Sequence, residues 1–351
     1  AAGLFQAFNY WSTRRKQFKR LAARTITQST VTAITRLGAG LVLNPGPGGL
    51  IGGSIFGQLV ATGQLAWQII RDEGRIIISY VNIKNFKRVL VRYKRFPLFD
   101  SWASMLNTAS TMQPALLLGY FFTPAVVGHY SLGQNILAAP MGVIGGSIAQ
   151  VFFPQASEAR HGGNLGQLTL DMFQRLLTLG FVPILLIAVV APDLFAIIFG
   201  EQWWAAGVYV RWLSLWMLFV FISSPISTTY TVLERQREYL IVNVILFSTR
   251  LVALIIGGIR GDALLTIALF GITSAVLYIF NCIYILYMAG VTVRETFTAI
   301  MKQIIQGVPY VLLPTIVWYS SYNSLAFVLA GIGAGIIFLL VQAYRIKNRG
   351  V

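Results

Sequence analysis

Three arginines interrupt stretches of sequence that are otherwise apolar: Arg36, Arg211 and Arg250. Arg36 follows Arg24 at a helical distance of about 18 Å, taking 1.5 Å per residue. Arg250 lies at a similar depth beyond Tyr239, and Arg211 sits about two turns inside the start of its stretch. A guanidinium in hydrocarbon costs at least about 2.5–3.5 kcal/mol, so an arginine there needs a partner, a watery cavity or a function. Carboxylates that could neutralise the three are scarce. Asp100 and Asp171 lie near one end of their apolar stretches, Asp193 and Asp262 near the other. Arg36, Arg250 and Arg211 therefore read as the lining of a cationic cavity with an anionic ligand. The planar, multiply donating guanidinium suits phosphate. The alternative for each is a side chain that snorkels to the interface or bonds a backbone carbonyl.

A second group is neutral. Asn107, Thr108, Ser110, Thr111 and Gln113 are followed by Tyr130, Ser131, Gln134, Asn135 and Gln150, a polar seam across two consecutive apolar stretches. Amides and hydroxyls on facing helices can bind sugars, and they can equally hold helices together. Asn107, Gln113, Gln134 and Asn135 are the members taken as candidates for substrate contact. Asp100 is a candidate for coupling to an ion gradient, with helix capping as the other reading. His129 reads as interfacial and Cys282 as a small buried residue. With only two histidines and one cysteine, the sequence offers no catalytic constellation, no cysteine-based metal site and no cofactor motif.

The elements that place these residues are membrane helices. Of 351 residues 56% are hydrophobic and 11% charged, against about 25% charged in soluble domains. Stretches of roughly 20 apolar residues, enough to cross about 30 Å of hydrocarbon, occur at 21–43, 50–70, 98–122, 124–154, 172–199, 205–232, 240–259, 264–288, 300–319 and 325–344. The expectation is an all-α bundle of about ten transmembrane helices.

Charge orients them. The formal net charge is +16, and most of the basic residues fall on alternate connections: Arg14 to Arg24, Arg71 to Arg95, Arg160 and Arg175, Arg235 and Arg237, Arg294 and Lys302, and Arg345 to Arg349. The other connections carry Asp193, Glu201, Arg260 and Asp262. This segregation places the basic loops and both visible termini in the cytoplasm. It also argues against nucleic acid as a partner, because a binding face would gather its charge in one place. The basic connection 71–97 alternates charged and apolar residues, which suits either a topogenic loop or an amphipathic helix on an anionic leaflet. Clusters at Gly49, Gly52, Gly53 and Gly57, at Gly142, Gly145 and Gly146, and at Gly331, Gly333 and Gly335 suit close helix packing. Prolines 114, 140, 183, 225, 309 and 314 fall inside the spans, where each removes a backbone hydrogen bond.

The stretch YSLGQNILAAPMGVIGGSIAQVFFP at 130–154, followed by QASEAR, resembles the oligosaccharide flippase (Wzx-like) family of the multidrug/oligosaccharidyl-lipid/polysaccharide exporter superfamily. YWSTRRKQFKRLA, YKRFPLF, APDLFAIIFGEQWWAAG and SSPISTTYTVLERQRE carry the same resemblance, in order along nearly the whole chain. It implies a two-lobed flippase fold. Residues 1–70 correspond to the end of an N-lobe, 71–97 to a cytoplasmic connection, 98–288 to a six-helix C-lobe and 289–351 to an additional helix pair. On this reading four N-terminal helices precede the chain and the whole protein has about fourteen.

The implied function is not enzymatic. It is translocation of a polyprenyl-pyrophosphate-linked oligosaccharide across the bacterial cytoplasmic (inner) membrane by alternating access, for surface glycans such as O-antigen or exopolysaccharide. Arg36 and Arg250 would hold the diphosphate. Membrane lipids, a polysaccharide polymerase and glycosyltransferases are the implied partners, and no cofactor is. A multidrug or ion antiporter of the same superfamily is the alternative, although cationic substrates would favour acids over arginines. A membrane enzyme or an accessory subunit of polysaccharide assembly is a further one.

Overall fold

The computed structural model describes residues 2–15, 17–42, 47–80, 82–94, 96–321 and 323–348. Two compact units divide the chain, Ala1–Lys94 and Arg95–Val351. Among the described residues every regular element is helical.

The first unit holds α1 (Ala2–Arg14), α2 (Phe18–Val42), α3 (Pro47–Tyr80) and α4 (Ile83–Arg92). Helices α2 and α3 form its main packed pair. Glycine spacing explains how they pack. A Cβ on Gly53 would lie 2.7 Å from Arg36 Cγ, and one on Gly57 would lie 2.0 Å from Thr32 Oγ1. Gly49 likewise faces Ala39. Residues 49, 53 and 57 thus form a groove into which α2 lays its side chains, the close approach that small residues permit in lipid. Gly48 and Gly52, off this face, have open space around them.

Helix α3 runs ten residues past the expected end of its span. The segment 71–80, expected to be part of a connection, continues the helix because no proline or glycine pair interrupts it. Its charges are used: Arg15 Nε lies 3.1 Å from Glu73 Oε1, and Arg20 pairs with Asp72. Of the rest of that connection, 83–92 is the helix α4. Lys87, Arg88 and Arg92 occupy one arc of it and Val89 and Leu90 another, all exposed. Lys16, Arg95 and Arg349, and part of the connection at 44–49, lie outside the described residues.

The second unit begins with a π-helical turn, Phe96–Asp100, that runs into α5 (Ser101–Phe121). It continues through α6 (Pro124–His161), α7 (Leu165–Phe199), a 3-10 turn at Glu201–Trp203, α8 (Trp204–Ile226), α9 (Thr228–Val232), α10 (Gln236–Ile259) and α11 (Ala263–Met288). Helices α12 (Val293–Ser321) and α13 (Ser324–Asn348) pack on each other and on α7. Helix α8 is the hub, in contact with α6, α7 and α11, and its residues Val210, Leu213, Leu218 and Ile222 are fully buried.

Local chemistry sets the boundaries. Asp262 accepts from Leu265 N at 3.0 Å to cap α11. Thr292 and Glu295 form a reciprocal capping box at α12, with Thr292 N to Glu295 Oε2 at 2.9 Å and Glu295 N to Thr292 Oγ1 at 3.3 Å.

Each expected span coincides with a helix. Seven of the described helical stretches are long and apolar enough to cross a membrane, namely α6, α7, the stretch Glu201–Val232, α10, α11, α12 and α13. The other three expected spans, α2, α3 and α5, fall short of that measure. Two of them carry the polar residues singled out above, Arg36 with its neighbouring threonines on α2 and the start of the polar seam on α5.

Candidate functional site

Among the described residues Arg250 is the largest fully buried side chain, 0% exposed in the middle of α10. It sits where α5, α8, α10 and α11 meet. Nε donates to Ser274 Oγ on α11 at 2.9 Å and Nη1 to Ser110 Oγ on α5 at 2.8 Å. Its guanidinium carbon lies 5.0 Å from the centroid of Trp216 on α8, and 5.3 Å from those of Phe270 and Tyr278 on α11. An aromatic cage of this kind offsets part of the desolvation cost of a cation. No carboxylate among the described residues pairs with it.

Around Arg250 several polar atoms are enclosed. Tyr130 on α6 is buried and within electrostatic reach of the guanidinium. Its hydroxyl, Trp216 Nε1 and Arg250 Nη2 are buried donors with no hydrogen-bond partner among the described residues. Gln113, on the same face of α5 as Ser110, donates through Nε2 to the Phe247 carbonyl on α10 at 3.4 Å.

Arg250 does not line an open cavity here; it is enclosed by packed helices and bonded to neutral hydroxyls. Nor is the polar seam a facing pair across α5 and α6. Ser110 and Gln113, three residues apart and hence on one helix face, turn toward α10 and α11, because α5 packs chiefly on α10. Asn107 and Gln134 are half-buried and Asn135 is exposed, whereas Gln113 is buried.

Arg36 is placed differently. It is exposed on α2, its stem lies over Gly53, and Nη2 donates to Ser54 Oγ at 2.6 Å. It belongs to the first unit and Arg250 to the second.

Arg211, on α8, donates from Nε to the Ala188 carbonyl and from Nη2 to the Val189 carbonyl of α7, both at 3.3 Å. The cause is visible in the sequence. Pro192 has no N–H for the carbonyl four residues earlier, which is that of Ala188, and Arg211 fills the vacancy. Of the readings open for Arg211, the carbonyl bond is the one formed.

Asp100 ends the π-helical turn, half-buried, and its side chain makes no capping bond to α5. His129 packs edge-on against Trp203, with ring centroids 5.4 Å apart. No group of three His, Cys, Asp or Glu among the described residues is placed to hold a metal ion.

The serines that hold Arg250 were missed as a pair by sequence reasoning. Ser110 was noted only as part of the seam, and Ser274 is an isolated hydroxyl in an apolar helix with no local signal.

The second unit, with seven helical stretches long and apolar enough to cross a bilayer and a desolvated arginine enclosed among its helices, has the build of a multi-pass membrane protein. Residues 2–207 match the family described as polysaccharide biosynthesis protein, and the chain belongs to that family. Among solved structures it is similar to "Lipid II flippase MurJ, inward closed conformation", with a TM-score of 0.61 and 17% identity over 92% of this chain and 68% of that one. The two share a fold. No curated protein sequence matches.

Proposed function

We propose that the protein translocates a polyprenyl-pyrophosphate-linked oligosaccharide across the bacterial cytoplasmic membrane by alternating access, for polysaccharide export. The observation that carries the reading is Arg250, a desolvated cation held by Ser110 and Ser274 with no carboxylate among the described residues to neutralise it. A site retaining such a charge favours an anionic ligand, and a diphosphate matches the guanidinium fork. Family membership and the flippase fold support the same class of substrate.

In the proposed mechanism Arg36 is the exposed contact for the diphosphate. Arg250 reaches the substrate in a conformation where α5 has parted from α10 and the bond to Ser110 is broken. Differential binding of substrate to the two conformations drives the exchange, and the lipid tail stays in the bilayer. Asn107, Gln113, Gln134 and Asn135 are proposed sugar contacts, and Asp100 a proposed ion-coupling group. Basic connections and both ends of the chain face the cytoplasm, where glycosyltransferases deliver the substrate; a polymerase receives it on the other side.

The test is in cells carrying the full-length protein. Arg36→Ala or Arg250→Ala should abolish surface glycan and leave the lipid-linked precursor on the inner leaflet. Normal glycan export by the double variant would refute the role of both arginines. Export unaffected by collapse of the proton and sodium gradients would remove Asp100.

A further inference from the structure

A groove of about 290 Å³ runs along the surface of the second unit between α8 and α11. Its floor is apolar, formed by Leu215, Gly271, Ala275 and Ile279, with Trp212 beside it and Arg211 at one end. Gly271 makes the groove possible. A Cβ there would lie 2.4 Å from the Trp212 carbonyl oxygen, so α11 rests directly on the α8 backbone. From Gly271 to Ile279 the floor extends about 12 Å along α11.

Arg211 is poised at the end of this floor. Its bonds to the Ala188 and Val189 carbonyls use two of the five guanidinium N–H groups, which leaves three donors on a side chain already fixed in place. Arg211 is exposed, lies about two turns from the start of α8, and pairs with no carboxylate among the described residues. A cation held beside a hydrocarbon-lined trough is complementary to an anionic amphiphile. Its headgroup is a phosphate and its tail a single aliphatic chain.

The direction of the groove selects the leaflet. Arg211 lies toward the helix ends joined by the sparsely charged connections, and Ile279 lies deeper along α11, toward the basic side. A lipid seated here has its phosphate on the non-basic side and its tail running toward the membrane centre.

We propose that this groove is a binding site for an anionic glycerophospholipid of the outer leaflet, with its phosphodiester on Arg211 and one acyl chain along α11. The site is separate from the enclosed Arg250 and does not depend on the transport reading.

The test uses the purified chain in a neutral detergent, titrated with phosphatidylglycerol and observed by native mass spectrometry. Arg211→Gln should weaken retention of the tightest-bound lipid about tenfold, the loss expected of a charge-assisted bond. Val276→Trp, at an exposed position on the groove wall, should weaken it comparably while leaving Arg211 and its carbonyl bonds untouched. Val252→Trp, also exposed but on α10, should leave it unchanged. Equal binding by wild type and both groove variants overturns the site. Competition by millimolar inorganic phosphate, with Val276→Trp silent, reduces it to a bare anion site and overturns the lipid assignment. Displacement of phosphatidylglycerol by an equimolar polyprenyl phosphate overturns the choice of glycerophospholipid.

Discussion

Replacing Arg250 tests whether a buried cation held only by hydroxyls and rings organises the second unit. Each of its two hydrogen bonds involves a charged donor and contributes about 1.5–3 kcal/mol. The rings of Trp216, Phe270 and Tyr278, all about 5 Å away, add about 0.5–2 kcal/mol each. Against these stands the desolvation of the guanidinium, several kcal/mol. Net contributions are therefore smaller than the sum, and the informative quantity is the coupling. In the wild type, Ser110→Ala leaves a guanidinium N–H unpaired in the interior and should cost about 1–3 kcal/mol. In an Arg250→Met background the same change removes a hydroxyl with no cation to serve, and should cost under about 0.5 kcal/mol, since a helical serine can bond its own preceding turn. A coupling of about 0.5–3 kcal/mol between residues 110 and 250 is expected. Unfolding in mixed micelles by graded SDS measures all four proteins. Equal cost of Ser110→Ala in both backgrounds would refute the reasoning, because the bond would then contribute nothing to stability.

Three further outcomes follow from the packing. Gly57→Ala places a methyl 2.0 Å from Thr32 Oγ1 and should lower the stability of the α2–α3 pair by about 1–3 kcal/mol, whereas Gly52→Ala, with nothing within 4 Å, should leave it unchanged or slightly higher in the same unfolding assay. Gly271→Ala meets a backbone oxygen at 2.4 Å and should be more damaging than Gly142→Ala, which has open space; equal thermal stability of the two would contradict the direct α8–α11 contact. Thr292→Ala removes the capping box of α12 and should cost about 1 kcal/mol, read as faster hydrogen exchange confined to the first turn of that helix.

The sequence made helices legible wherever a long apolar run stood between charged or glycine-rich connections, and the ten expected spans all fall on helices. It read α3 as too short because Arg71, Asp72 and Glu73 look like a loop in isolation; the partners of Glu73 and Asp72 are Arg15, in the turn after α1, and Arg20, in α2, and only the fold joins them. The depth of Arg250 was legible from its distance along α10. Its environment was not, since Ser110 stands 140 residues away and nothing local marks which face of α5 turns inward. For Arg211 the missing information was local after all. Pro192 announces an unpaired carbonyl at Ala188, and an arginine on the next helix is a donor able to reach it.

Arg250 also has an electrical meaning. Its charge is covalently fixed within the thickness of a bilayer, so it stands in any voltage applied across that bilayer. One elementary charge moved through a full 100 mV drop exchanges about 2.3 kcal/mol with the field. A helix rearrangement that carried the guanidinium through a fifth of the drop would exchange about 0.5 kcal/mol, enough to bias two closely balanced conformations by about twofold. With the cytoplasm negative, displacement of Arg250 toward the outside is opposed and its return is favoured. Any rearrangement of α5, α10 and α11 that moved this guanidinium along the membrane normal would therefore couple to membrane potential without any ion having to bind.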